Sequence, residues 1–495
     1  MADLMRSLLS TCVVLTLLGG CAAVGPDYAG PAASGAQAIA SFPSSTEISA
    51  TSAILTSEPP AQWWLALGDP ELDALISQAL AANNDLLIAV ANVEAARAQL
   101  SQVETRRLPN VDANGTVRER REAQAAQRKA DPHDQAPTRS LATFGVDLLW
   151  EIDLFGRVRR SVEAAAADLG SLEAVRNNVL LSVLSTVANA YIDLRGAQLR
   201  LGVAQRNVAV QQQTLDLVAT LNKEGAATDL DVARARTQLL TSQASIPLQR
   251  TVARAALNRL TTLLAQPPGT LDGQLQTPRA LPQLPELVAV GQPADLLRRR
   301  PDIQVAERAL AAASARIGIA TADLFPTVSL IGGAGVSASP IGVLAAAGAP
   351  FFTFGPALRW NIFDRRAIYA RIAQADSAAA AGVARYQLTV THALEEVDSA
   401  INAYGNERER QAQLVAAVAA SRDAAHLAEL RFKEGAEDFL TVLDAERSLL
   451  LLEDQQALSA INVAQGLVEI HRALGGGWQG ASVPAYEGYE ATSGH

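Results

Sequence analysis

Cysteine is almost missing from this chain: its 495 residues include two, Cys12 and Cys21. Cys12 falls inside the apolar leader described below, so the processed protein keeps only Cys21 and a disulfide framework is excluded. Histidine is sparse and dispersed, at His133, His392, His426, His471 and His495. No HExxH, CxxC, GxSxG or phosphate-loop pattern occurs, so the common metal, thiol, serine and nucleotide chemistries lack their residues, and no metal or cofactor is expected. There is no basic surplus either. The formal net charge is −10 and the basic residues are scattered, which argues against a nucleic-acid partner. The run Arg298, Arg299, Arg300 is followed by Pro301 and Asp302 as a helix start and reads as a solvated, structural cluster. Aromatics are 4% of the chain while hydrophobic residues are 49%. The apolar content is therefore mostly Ala, Leu and Val, the composition of long helices packed through small side chains.

Long hydrophobic runs are scarce as well. The first, Leu8 to Leu18 after Arg6, is too short to cross a bilayer, which takes roughly 20 apolar residues. With the LLGGC that completes it, it reads as a signal peptide over 1–20, cut before Cys21. LLGGC resembles the bacterial lipobox, whose cysteine is acylated; acyl chains anchor by burying methylenes at about 0.8 kcal/mol each. Ala22 rather than aspartate follows, which by analogy with enterobacterial sorting favours the outer membrane. An ordinary secretory signal with an incidental cysteine is the alternative. Residues 21–60, rich in Ala, Ser and Pro without periodicity, read as a lipidated linker, and 475–495 as a flexible tail.

Between these ends the chain is written twice, over 61–264 and 294–474, with a connector over 265–293. LNKEGAATDLDVARARTQLL at 221–240 returns as RFKEGAEDFLTVLDAERSLL at 431–450. Asp85, Pro109 and Val111 return as Asp302, Pro326 and Val328, and Phe144, Gly145 and Trp150 as Phe354, Gly355 and Trp360. The register between the copies shifts once, between 115 and 144, where RERREAQAAQRKADPHDQAPTR reads as a polar loop. Each copy predicts a helix (71–106; 294–323), two strands (110–118 and 142–150; 327–337 and 351–361) and a long helix (159–222; 367–432). After KEGA comes a further helix (229–264; 439–474). A helix over 159–222 spans about 96 Å, and the other two helices of its copy, placed end to end, match that length. An elongated helical body follows, with Pro247 expected to bend 229–264.

Residues 324–358 carry no charged side chain, yet they contain four prolines and six glycines. That content argues against a membrane helix, because hydrocarbon makes the whole helical hydrogen-bond ladder compulsory. Alternation at Val328, Leu330, Gly332, Ala334 and Val336, and at Phe352, Phe354, Pro356 and Leu358, gives strands with one apolar face. Val111, Ala113, Gly115 and Val117, with Ala142, Phe144, Val146 and Leu148, repeat the pattern in the first copy. In lipid such hairpins must close into a barrel. Four strands are too few, since outer-membrane barrels begin at eight, so copies must assemble. Two give a filled interior, whereas three give twelve strands and a lumen. A soluble sheet packed on helices is the alternative.

WEIDLFGR at 150–157, PADLLRRRPDI at 293–303, LFPTVSL at 324–330, LDAERSLL at 443–450, ALGGGW at 473–478 and the mature start CAAVGPDY together resemble the outer-membrane factors of tripartite efflux pumps. The likeness is to the NodT-type, OprM-like lipoprotein branch of the TolC-like proteins, and it covers essentially all of the mature chain. It implies a mainly α fold with a membrane β-barrel part: a homotrimer with a twelve-stranded barrel in the outer membrane and a twelve-helix periplasmic tunnel. It further implies export of small molecules such as drugs, with a periplasmic adaptor (membrane fusion protein) and an inner-membrane transporter of the resistance-nodulation-division type as partners. In this frame Glu151 and Asp153 belong to a strand-end motif rather than to acid–base chemistry.

On the same resemblance the two KEGA turns are periplasmic tips. Gly225 and Gly435 suit a left-handed helix end; Thr228 with Asp231 fits a capping box, and Asp438 fits a helix cap. Leu440 and Asp444 match, residue by residue, the leucine and aspartate with which the family narrows its tunnel. Three leucines on an axis exclude water, and three carboxylates repel one another and select cations. The first copy has Leu230 but Arg234 at these places. The plainer account of Asp229, Asp231 and Asp444 is that they favour helix amino-terminal turns. Trp150 and Trp360 close the second strand of each copy as interface aromatics do, a core role being the alternative. Two other functions compete, a type I protein-secretion channel and a lipid-anchored coiled-coil scaffold without a pore; the lipobox and NodT-like motifs favour small-molecule efflux.

Overall fold

The computed structural model describes residues 23–31, 41–45, 54–55, 57–121, 138–339 and 348–481. The leader 1–20, the lipidation candidate Cys21, most of the polar loop of the first copy and the tail from 482 onward lie outside these residues. The principal elements are β1 (Ile54–Leu55), α1 (Pro70–Ala82), α2 (Asn84–Glu104), β2 (Asn110–Arg121), β3 (Thr138–Ile152), α3 (Arg157–Lys223), α4 (Asp229–Leu263) and β4 (Val288–Ala289). They continue as α5 (Pro301–Ala322), β5 (Thr327–Ala338), β6 (Pro350–Arg359), α6 (Arg365–Lys433) and α7 (Phe439–Ala473).

Several boundaries differ from expectation for local reasons. The helix expected over 71–106 is broken at Asn83, whose backbone is extended. Its side chain accepts from Leu86 N at 3.1 Å and donates to Leu263 O at 2.9 Å, so it caps α2 and ties it to the end of α4. The helix expected over 294–323 breaks at Arg300, also extended, because the ring of Pro301 disfavours helical geometry in the residue before it. α4 runs unbroken through Pro247. Trp360 lies one residue beyond β6, and Trp150 lies inside β3 rather than at its end.

The chain forms two compact units. One contains the antiparallel sheet β2-β3-β5-β6. Its register puts the expected apolar positions on one face: Val111 stands opposite Leu148, Gly115 opposite Phe144, Trp150 opposite Leu330 and Gly332 opposite Phe354. Exposure of that face is high, with Phe352 85% and Phe354 70% accessible. Among the described residues the outer edges of β2 and β6 have no strand partner, and no single helix is long and apolar enough to cross a membrane.

Where the sheet meets the helices the joint is polar and specific. Asp153 accepts from Val158 N at 3.0 Å and Arg159 N at 2.9 Å, capping α3, which is the role of the aspartate in WEIDLFGR. Phe155 stacks on Phe325 at 4.6 Å, and Asp323 pairs with both Arg157 and Arg371. The segment at 23–31 is docked here rather than free. Buried Arg160 donates to Val24 O, Gly25 O and Asp27 Oδ1, and a Cβ on Gly25 would sit 2.4 Å from Gly318 Cα. The linker expected over 21–60 is therefore in part a fitted strap. Phe42 is also buried, and Ser44 bonds Asp398. β1 pairs in parallel with β4, a small sheet the sequence reading lacks.

The second unit holds the helical body. Arg195 is fully buried, pairs with Glu71, and donates to Thr277 O at 2.9 Å. The arginine run is a correction: Arg298 is solvated, but Arg299 and Arg300 are nearly buried. Arg300 bonds Asp302, Glu396 and Ala473 O, while Arg299 bonds Glu58 and Pro59 O. The tail expected over 475–495 also begins in the core, where Trp478 Nε1 donates to Arg299 O at 2.8 Å. Beside it, buried His471 stacks on Trp63 at 5.1 Å.

Burial, and then the charge of Arg299, pushes the His471 imidazole down to about 4 from 6.5. The folded pKa lies below the unfolded one, so the neutral ring's contribution is complete above the unfolded value and is lost as pH falls through the folded value. It amounts to about 3 kcal/mol at most. Unfolding of the detergent-solubilised protein, followed between neutral pH and pH ~4, should show wild type losing stability more steeply than His471→Phe. Parallel pH profiles would remove His471 as the cause.

Candidate functional site

The best-defined candidate site is the pair of helix–turn–helix tips at 223–229 and 433–439. Both turns close with the same bonds. Ala226 N donates to Leu221 O and Gly225 N to Asn222 O; Ala436 N donates to Arg431 O and Gly435 N to Phe432 O. This six-to-one plus five-to-two pattern requires a left-handed residue just past the helix, and Gly225 and Gly435 supply it at φ +76 and +74.

The helices that leave the turns are capped differently. Thr228 and Asp231 form a complete capping box on α4. Asp438 caps α7, accepting from Thr441 N at 3.0 Å. That bond, then the Thr441 hydroxyl, holds the Asp438 carboxyl below its ordinary range, with Arg234 contributing charge from the other tip. Arg234 itself pairs with Asp231 at 3.7 Å. The two tips share one apolar core in which Val218, Ala235, Ala428, Phe439, Val442 and Leu443 are buried, and Phe432 lies against Phe439 at 5.6 Å.

Leu440 and Asp444 are not part of that core. One helical turn apart, they share the opposite, exposed face of α7, with Leu440 50% accessible. Their counterparts divide: Leu230 is exposed at 56%, while Arg234 is half-buried and paired. Three polar contacts invisible to local pattern tether α7. Arg200 pairs with Asp454 through two bonds at 2.9 and 3.0 Å, Thr214 donates to Glu446 at 2.7 Å, and Arg422 meets Glu453 at 2.8 Å. Burial raises the Glu446 carboxyl above its ordinary range and the nearby Glu429 adds to this, while the Thr214 bond opposes it. Each partner lies far along the chain, so only the fold brings them together.

At the foot of the sheet, Trp150 and Trp360 behave alike. Trp150 Nε1 donates to Arg107 O at 3.0 Å and Trp360 Nε1 to Leu324 O at 3.1 Å. Each indole thus pins a strand base to the end of the preceding helix, Trp150 half-buried and Trp360 44% accessible.

Gly435 has open space around it. Gly435→Ala should therefore cost about 1 kcal/mol through left-handed backbone strain alone, and Gly435→Asn less, since asparagine tolerates this region. Thermal unfolding monitored by helical circular dichroism checks the order; equal losses would show that conformation is not what the glycine supplies.

The sequence profile of the Outer membrane efflux protein family matches residues 75–266 and 293–476. The chain is 34% identical over 479 residues to the toluene efflux pump outer membrane protein TtgC of Pseudomonas putida, covering 96% of each. It is 30% identical over 420 residues to nodulation protein T of Rhizobium leguminosarum bv. trifolii, covering 84% of this chain and 88% of that one. Among solved structures, the outer-membrane channel OprN superposes with a TM-score of 0.85 at 38% identity, over 92% of this chain and 99% of that one. The open state of the Neisseria gonorrhoeae channel MtrE superposes at 0.76 with 27% identity, over 92% and 99%. With its two-hairpin sheet, its long helices and both tips accounted for by these matches, the chain belongs to the outer membrane efflux protein family, TolC-like channels of the outer membrane that extend into the periplasm.

Proposed function

We propose that three copies of this chain close edge to edge into a twelve-stranded barrel and a twelve-helix periplasmic conduit, and that this trimer is the exit duct of a tripartite pump for small molecules. The observation that carries the reading is the sheet: one exposed apolar face and two unpaired edges, which hydrocarbon does not tolerate. Relatives named for toluene and antibiotic efflux support small apolar and drug-like cargo. A periplasmic adaptor and an inner-membrane transporter of the resistance-nodulation-division type complete the assembly, and substrate choice belongs to the transporter.

Leu440 and Asp444 are proposed as the periplasmic constriction. They stand exposed on one face of α7 while Phe439, Val442 and Leu443 hold the tip together, so threefold assembly gives them an axis to face. Cys21 is proposed as the lipid anchor. The described chain begins two residues later, at Ala23, which packs against Gly156 just past the foot of β3. The methylenes of a lipid on Cys21, at about 0.8 kcal/mol each, would anchor the chain to the membrane.

In planar bilayers the purified protein should form channels, and Leu440→Ala and Asp444→Ala should each raise single-channel conductance. Channels of unchanged conductance in both variants would remove the constriction assignment. A monomeric, channel-free protein would remove the duct itself.

A further inference from the structure

The other face of the sheet is polar, and along β2 and β3 its charges are sorted by height. At the helical end Asp112 stands directly opposite Asp147, with Glu151 four residues further down β3; these three carboxylates outnumber Arg359, which stands opposite Thr327 at the base of β6. At the far end Arg118 precedes Arg120 on β2. Alternation puts all of these on the face that Val111, Phe144 and Leu330 do not occupy. β2 is exposed along its whole length, and among the described residues neither Arg118 nor Arg120 has a carboxylate partner. Asn110 and Asn114 bond Asp112 and Asp147 but leave their charge in place.

Like charges directly opposite one another weaken a strand pair, and opposite charges strengthen it. A sheet built for stability alone would interleave the two signs; here the two aspartates face each other and the arginines of β2 stand apart from them. Eight residues separate Arg120 from Asp112. That is about 26 Å along the strand, or roughly 20 Å of height at the usual barrel tilt. The Debye length is about 8 Å at physiological salt, so the two bands do not neutralise each other and each acts on solutes alone.

We propose that this face makes the barrel a two-band charge filter: a basic collar of Arg118 and Arg120 at the outer mouth above an acidic band of Asp112 and Asp147, so that the lumen rectifies ionic current. The inference rests on the trimeric channel reading, which turns the polar face inward and triples each band. With the periplasmic side positive, cations enter past the acidic band and anions past the basic collar, so both carriers accumulate. With the polarity reversed, each must enter past a band of its own sign and the lumen is depleted. Cationic solutes therefore leave, and anionic solutes enter, by the easy polarity.

The test is the current–voltage relation of protein inserted from one side of a planar bilayer. At about 0.1 M potassium chloride, where screening reaches ~10 Å, the current with the periplasmic side positive should exceed the reverse by about twofold or more; at about 1 M the asymmetry should fade. Arg118→Gln/Arg120→Gln should lose the asymmetry and shift the zero-current potential in a salt gradient towards cation preference. Asp112→Asn/Asp147→Asn should lose it with the opposite shift. Open channels whose curves at low salt are the same in wild type and the arginine variant overturn the filter and leave the duct standing. No channels from any of the proteins overturns the duct reading itself.

Discussion

A sheet with two open edges cannot rest in hydrocarbon, and this constraint organises the molecule. β2 and β6 turn about half of their backbone N–H and C=O groups away from their partners, and each such group left unsatisfied in lipid costs several kcal/mol. A lone sheet would thus carry a penalty on the order of tens of kcal/mol, more than a domain's whole stability margin. The proposed assembly would remove the penalty by pairing edge with edge. The strands pass almost directly into α3 and α6, so the symmetry proposed for the sheet would be carried into the helices that follow.

That transmission depends on a stiff joint. Asp153 caps α3, Asp323 ties Arg157 to Arg371, and the two indoles anchor the strand bases to the ends of α2 and the α5 turn. The strap at 23–31 completes the joint by passing so close to α5 that Gly25 and Gly318 meet backbone to backbone. Individually these polar contacts are modest, because most are partly solvated. Together they fix the angle at which strand becomes helix.

The duplicated plan was legible because it is local. Period-two alternation placed the strands, and their register puts Val111, Phe144, Val328 and Phe354 on one face. The KEGA spacing marked the turns, whose glycines take positive φ. What stayed hidden depends on partners far along the chain. The apparent linker is held by Arg160, the apparent tail by Arg299, and the arginine run is buried only because Glu396, Glu58 and two carbonyls converge on it. Composition marks such segments as polar and aperiodic, and it has no means of showing that a distant carboxylate awaits them. The strands also run longer than their apolar alternation, because β2 and β3 keep pairing through Arg118 and Arg120, where the pattern turns to charge.

Duplication followed by divergence gives the tips unequal duties. Arg234 in the first copy folds back onto Asp231 and serves the joint between tips, whereas its counterpart Asp444 stays exposed. The energetics then limit how such a tip can move. Parting α7 from α3 breaks Arg200–Asp454 and Thr214–Glu446, partly solvated contacts that contribute about 1 kcal/mol or less each. It also opens the core that Phe439, Val442 and Leu443 share with Val218 and Ala235 of the first hairpin. Parting α7 from α6 separates Phe439 from Phe432 and exposes a buried aromatic side chain, at about 1.5–3 kcal/mol for that residue alone. Either displacement therefore exposes apolar surface, and the core shared between the hairpins, more than the polar tethers, limits how readily the exposed face of α7 can turn.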